Sequence, residues 1–139
     1  MLLLIGILIG LMLGLTGADD SYSFVLENDG QTYLFSGDTL LIRGTGRTDF
    51  QNGNAIDAYH SLFEVLLKLP DHTLVYPAHD YKGWMVSSIN EEKRHNPRLQ
   101  VTNAMGYKQI MDNLNLPNPK MMDVAVPANR SCGNFPEQG

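Results

Sequence analysis

Residues 21–38 read SYSFVLENDGQTYLFSGD. The runs SYSFVL at 21–26 and QTYLF at 31–35 are short and β-prone, and Asp29-Gly30 between them is a strong signal for a tight hairpin turn. A β-hairpin is therefore the first element expected in the body of the chain. Asp38 follows the second strand directly, at a strand end where a carboxylate can point into a cleft.

Working outward toward the carboxyl terminus, residues 39–42 are apolar again, and RGTGRTDFQNG at 43–53 is a polar loop punctuated by glycine. Residues 54–69 place Ile56, Tyr59, Leu62, Phe63, Leu66 and Leu67 at the spacing of an amphipathic helix, which Pro70 stops. TLVY at 73–76 reads as a strand, and PAHDY at 77–81 puts His79 in a second strand-end loop. Ser88 and Glu91 have capping-box spacing for a helix that Pro97 closes. Residues 104–114 predict a last helix. Residues 117–139, with four of the seven prolines, predict an extended tail. Strand-to-helix alternation of this kind defines an α/β fold whose chemistry gathers at strand ends.

Working toward the amino terminus, residues 1–15 read MLLLIGILIGLMLGL, and the first charged side chain is Asp19. A secretory signal would carry a basic start, which is missing. A membrane span needs roughly 20 apolar residues, and residues 1–18 fall just short of that. Gly6, Gly10, Gly14 and Ala18 would form a small-residue stripe if the segment were a helix in lipid. Three readings of residues 1–18 stand side by side: a membrane or signal-like helix, a non-native start, and a segment packed against the body. The boundary expected is residue 19, with 19–139 forming one unit.

The chain has 139 residues, 43% of them apolar and 18% charged, with a net charge of -5. That is enough for one core and too acidic for a nucleic-acid footprint. The single cysteine, Cys132, excludes an internal disulfide and a four-cysteine zinc site.

Asp38 and His79 are the residue types that bind zinc, iron or manganese, although each is also an ordinary turn residue. Arg43 and Arg47 bracket Gly44-Thr45-Gly46, where they would either present guanidinium groups to an anionic substrate or hold the loop through carboxylates such as Asp49. Tyr81 and Lys82 follow His79 closely enough to line the same cleft. His60, His72 and His95 lie on a helix, in a turn and beside a helix end respectively.

FSGDTLLIRGTGRTDFQNG, YPAHDYKG, EEKRHNPRL and NLNLPNPKMMDVAVPAN, in this order, closely resemble the carboxyl-terminal half of the persulfide dioxygenases, sulfur dioxygenases of the metallo-β-lactamase fold related to glyoxalase II. The resemblance runs from about residue 19 to 133. It implies half of an αββα sandwich preceded by the apolar segment. It implies a site in which iron, held by two histidines and an aspartate, lets dioxygen oxidise glutathione persulfide to sulfite and glutathione. Asp38 matches the metal-binding aspartate, and His79 the histidine that binds a second metal in dinuclear relatives. Arg43, Arg47 and Tyr81 fall in loops near the site, as contacts to glutathione or to loop carboxylates. The His-x-His-x-Asp-His motif of the family is absent, and its Thr-Pro-Gly-His-Thr stretch is replaced so that Gly17 and Ala18 stand where His and Thr are expected. The resemblance thus implies a truncated, poorly active chain, cytoplasmic unless residues 1–18 attach it to a membrane. Its unpaired sheet face would favour self-association or a partner. A zinc-dependent hydrolase of glutathione thioesters and a non-catalytic membrane-tethered module are the alternatives.

Overall fold

A computed structural model describes residues 9–14, 22–49 and 53–117 together with Val124, Pro127 and Ala128. The expected hairpin forms from β2 (Tyr22–Asn28) and β3 (Gln31–Gly37), paired antiparallel with Asn28 opposite Gln31. The connection is the two-residue Asp29-Gly30 turn, with φ of 48° and 79°, a left-handed pair that Asp and Gly tolerate and most residues do not.

Beyond the hairpin, β4 (Leu40–Leu41) and β5 (Gly44–Thr45) make a small second hairpin. The chain then crosses over through helix α1 (Ala55–His60), with Asn54 capping its first turn. The single helix expected over 54–69 is divided. α1 continues as a π-helical turn at Ser61–Val65 and a 3₁₀ turn at Leu66–Lys68. The break has a physical cause at each step. The π turn accommodates an extra residue while Leu62 and Leu66 stay fully buried, and Leu69 must be extended before Pro70.

β6 (Leu74–Pro77) then lies parallel to β3, β7 (Ser87–Ser88) pairs with β6, and α2 (Ile89–His95) and α3 (Ala104–Asp112) complete the helical layer. Ser88 caps α2 by accepting from the Glu91 backbone N–H, as the capping-box spacing predicts. Most of the expected tail lies outside the described residues. Val124, Pro127 and Ala128 are helical rather than extended, and Ala128 is buried.

The apolar segment at the start pairs with the body over its described part. Over Ile9–Gly14 it is a strand, β1, antiparallel to β2 and not a helix, with Leu11 in register with Val25 and Met12 with Phe24. The remainder of residues 1–18 lies outside the described residues. No helix among the described residues is long and apolar enough to cross a membrane.

The main sheet has the order β1-β2-β3-β6-β7. Val25, Leu34 and Val75 stand in one cross-strand row, and all three are buried against Leu62, Leu66, Ile89 and Tyr107 of the helical layer. Residues one step along each strand point the other way. There Tyr22, Phe24 and Phe35 remain exposed. The described architecture is one mixed sheet with helices on one face, which is one half of a sandwich.

Candidate metal centre

Because β3 and β6 are parallel neighbours, both finish at the same end of the sheet. Gly37 pairs with Pro77, and the Ala78 backbone N–H donates to the Gly37 carbonyl at 2.9 Å. Asp38 is one residue past the first strand end and His79 two past the second. Their side chains meet, His79 Nδ1 lying 2.5 Å from Asp38 Oδ1. Both are more than half exposed, so the pair stands at the surface with its remaining valences open. Two residues 41 apart in the chain are thus brought together by strand pairing alone.

The loop carrying Asp38 is held tightly. Ser36 Oγ donates to the Leu40 carbonyl, and the Gly46 backbone N–H to the Thr39 carbonyl. Gly46 passes so near this loop that a Cβ there would lie 2.6 Å from the Asp38 carbonyl oxygen, so only glycine fits.

Arg43 takes the loop-holding alternative. Its guanidinium bonds Glu92 and Glu91 of α2, and its backbone N–H donates to Glu92 Oε2 at 2.8 Å. Glu92 is fully buried and also accepts from Ser87 Oγ and from the Asn96 side-chain amide, which in turn reaches the Gly44 carbonyl. The hydrogen bond from the Arg43 guanidinium holds the Glu91 carboxyl below its usual range. Arg47 forms the pair with Asp49 foreseen as the structural option and also donates to the Pro117 carbonyl. That pairing pushes the Asp49 carboxyl downward. Both arginines thus fasten the polar loop.

Tyr81, more than four-fifths exposed, stacks on the His79 ring with centroids 6.3 Å apart. Asp80 folds the loop by accepting from the Lys82 and Trp84 backbone N–H groups. The Trp84 ring in turn meets the Arg43 and Lys82 cations, 5.3 and 5.5 Å from its centre. Sequence reasoning did not single out Glu92, Asn96 or Trp84. Glu92 carries the signature of an acidic first helical turn, and nothing local reveals a partner 49 residues away.

The donor set is short of a metal site. Among the described residues no group of three or more His, Cys, Asp or Glu comes together. Asp38 and His79 offer one carboxylate and one imidazole, where a catalytic metal ordinarily takes three protein ligands. They do not by themselves fit the iron that the resemblance implies.

A mixed sheet with helices on one face and an Asp–His pair at the ends of adjacent parallel strands accords with the family comparison, in which the Metallo-beta-lactamase superfamily profile matches residues 5–79. The chain belongs to that superfamily, and the match begins inside the apolar segment, ahead of the boundary at residue 19. Within it, the chain is similar to the mitochondrial persulfide dioxygenase ETHE1 of Mus musculus, 54% identical over 111 residues covering 80% of this chain and 42% of that one. The Homo sapiens protein of the same name is 51% identical over the same shares. In the crystal structure of ETHE1 from Myxococcus xanthus the likeness covers 95% of this chain and 57% of that one, with 56% identity and a TM-score of 0.80. The chain spans less than half the length of the curated relatives it matches.

Proposed function

We propose that this chain carries one side of the active site of a persulfide dioxygenase, an enzyme that uses iron and dioxygen to oxidise glutathione persulfide to sulfite and glutathione. The observation that carries the reading is the Asp38–His79 pair at 2.5 Å on the carboxyl ends of β3 and β6, in a chain about half identical to enzymes of that name. Asp38 is the metal donor in this reading and His79 its immediate neighbour. Tyr81, exposed and stacked on His79, is the side chain placed to touch a peptide substrate. Arg43 and Arg47 act on the site through the loop they fasten. Taken alone the chain has little or no activity, since two donors leave the metal weakly held.

The reading is tested by oxygen uptake with glutathione persulfide after addition of ferrous iron. The 139-residue chain by itself should give background uptake. Mixed with the separately purified part of the mouse enzyme that it does not span, it should restore uptake, and Asp38→Ala should abolish that gain. Uptake that survives Asp38→Ala, or a zinc-dependent cleavage of glutathione thioesters in place of oxygen uptake, would count against the reading.

A further inference from the structure

On the helical side of the main sheet lies an open cavity of about 410 Å³, lined by Phe63, Leu67, Lys68, Lys93 and Leu99. Small-molecule sites occupy roughly 300–1,000 Å³. The floor is apolar, for Leu67 and Leu99 are buried members of the core and Phe63 packs against that core. Phe63 belongs to the π turn, and Leu67 and Lys68 to the 3₁₀ turn, so most of the lining comes from the stretch in which the helix expected over 54–69 is broken. Irregular turns inside a helix frequently accompany functional sites. The cavity stands apart from the Asp38–His79 pair. Lys93 grips Asp71 at 2.6 Å, ahead of the amino end of β6, whereas His79 follows the carboxyl end of that strand. It also lies across the sheet from exposed Phe24 and Phe35, and all of its lining falls between residues 63 and 99.

The chain has a net charge of -5, yet the rim of this cavity is basic. Lys68 and Lys93 stand on it. The hydrogen bond from Lys93 holds the Asp71 carboxyl below its usual range, and Arg94 and His72 add positive charge beside it. An ammonium group carries three N–H donors. Lys93 gives one to Asp71, and Lys68 makes no hydrogen bond or ion pair among the described residues. An anion with a hydrocarbon body suits both features at once. Its chain covers the apolar floor, and its head accepts from ammonium groups whose own stems lie along the apolar wall. A bare inorganic anion would leave the floor wet, and an uncharged chain would gain nothing from the lysines. Two ammonium groups match the two oxygens of one carboxylate. We propose that this cavity binds a fatty carboxylate, with Lys68 and Lys93 holding the carboxylate and Phe63, Leu67 and Leu99 taking the chain. The site is independent of the persulfide dioxygenase reading.

The test titrates the full chain with decanoate, kept below its micelle-forming concentration, and follows backbone and side-chain NMR signals. Saturable one-to-one binding should move the Phe63, Leu67 and Leu99 signals and leave the His79 ring unmoved. Decanol, which has the chain without the charge, should bind about tenfold more weakly, the worth of a hydrogen bond to a charged group. Lys68→Glu should weaken decanoate binding by about tenfold or more, whereas Lys68→Arg should retain it. Lys68 is exposed and makes no bond that the variants would break, so they should fold, with circular dichroism as the check. Lys93→Gln serves as the second variant and should also weaken binding. Equal affinity for decanol, undiminished decanoate binding by Lys68→Glu, no saturable binding, or shifts centred on Tyr22, Phe24 and Phe35 would each overturn the proposal. So would movement of the Val124 and Ala128 signals on titration, which would make the cavity the seat of the chain's own carboxyl-terminal segment.

Discussion

Glu92 concentrates more of the site's support than any other single side chain. Its carboxylate is fully buried and accepts from the Arg43 backbone and guanidinium, from Ser87 and from Asn96, so the charge is paired and its lone pairs are filled. Removing one partner of such a buried pair leaves the other charged and unsatisfied, which typically costs about 3–5 kcal/mol. Glu92→Ala should therefore lower the unfolding free energy measured in urea by an amount in that range and loosen the hairpin that braces Asp38. Glu91 acts differently because it is nearly half exposed. Arg43 holds its folded-state carboxyl below 4.5, so between that value and the lower folded one the unfolded chain binds more protons. Its contribution is present above pH 4.5 and is lost as the pH falls through the depressed value. Glu91→Gln should give a shallower loss of stability on acidification, measured as denaturation midpoint against pH. At this scale the sequence left two roles open for Arg43 and Arg47, and the structure adds the carboxylates through which both hold the loop.

The elements were more legible than their boundaries. The Asp29-Gly30 turn, the two strands around it and the capping box at Ser88 follow from local chemistry, and they stand where residues 21–38 and 88–91 place them. Losing the cap's hydrogen bond costs about 1 kcal/mol. Ser88→Ala should lower the thermal midpoint accordingly while leaving the Asp38–His79 contact intact. That second half is checked by the NMR resonances of the His79 ring. One element was misread and one was left open between several readings. Residues 54–69 do have helical periodicity, but burying Leu62 and Leu66 and then meeting Pro70 divides the helix into α, π and 3₁₀ turns. Residues 9–14 have neither strand alternation nor a charge to mark a surface, and a run of Leu, Ile, Met and Gly suits a buried helix as well as a strand. It is the free backbone edge of β2, filled by β1 in register from Ile9 to Gly14, that makes it a strand.

Across the molecule, one row of side chains joins sheet to helices. Leu34 has no exposure and sits between Val25 and Val75 beneath the helical layer. Shortening a buried leucine to alanine removes its transfer energy and leaves a cavity, together about 2–5 kcal/mol. In a chain this small, that is a large part of the whole stability. Leu34→Ala should broaden or abolish the cooperative unfolding transition in chemical denaturation, whereas the same truncation at exposed Phe24 should change it little. The contrast separates the two faces of the sheet. The first is a finished core, and the second is an exposed surface.

By itself the sequence determined the class of fold, the hairpin, the capped helix and the two residues most suited to a metal, because turn chemistry, periodicity and donor type are local properties. What only the tertiary structure decided was which residues meet. Parallel pairing of β3 with β6 joins Asp38 to His79, and burial turns Glu92 from a helix-end charge into the partner of Arg43. The edge of β2 makes a strand of an apolar run. Each of these depends on contacts between residues far apart in the chain, and the free energy of such contacts has no counterpart in any short window of sequence.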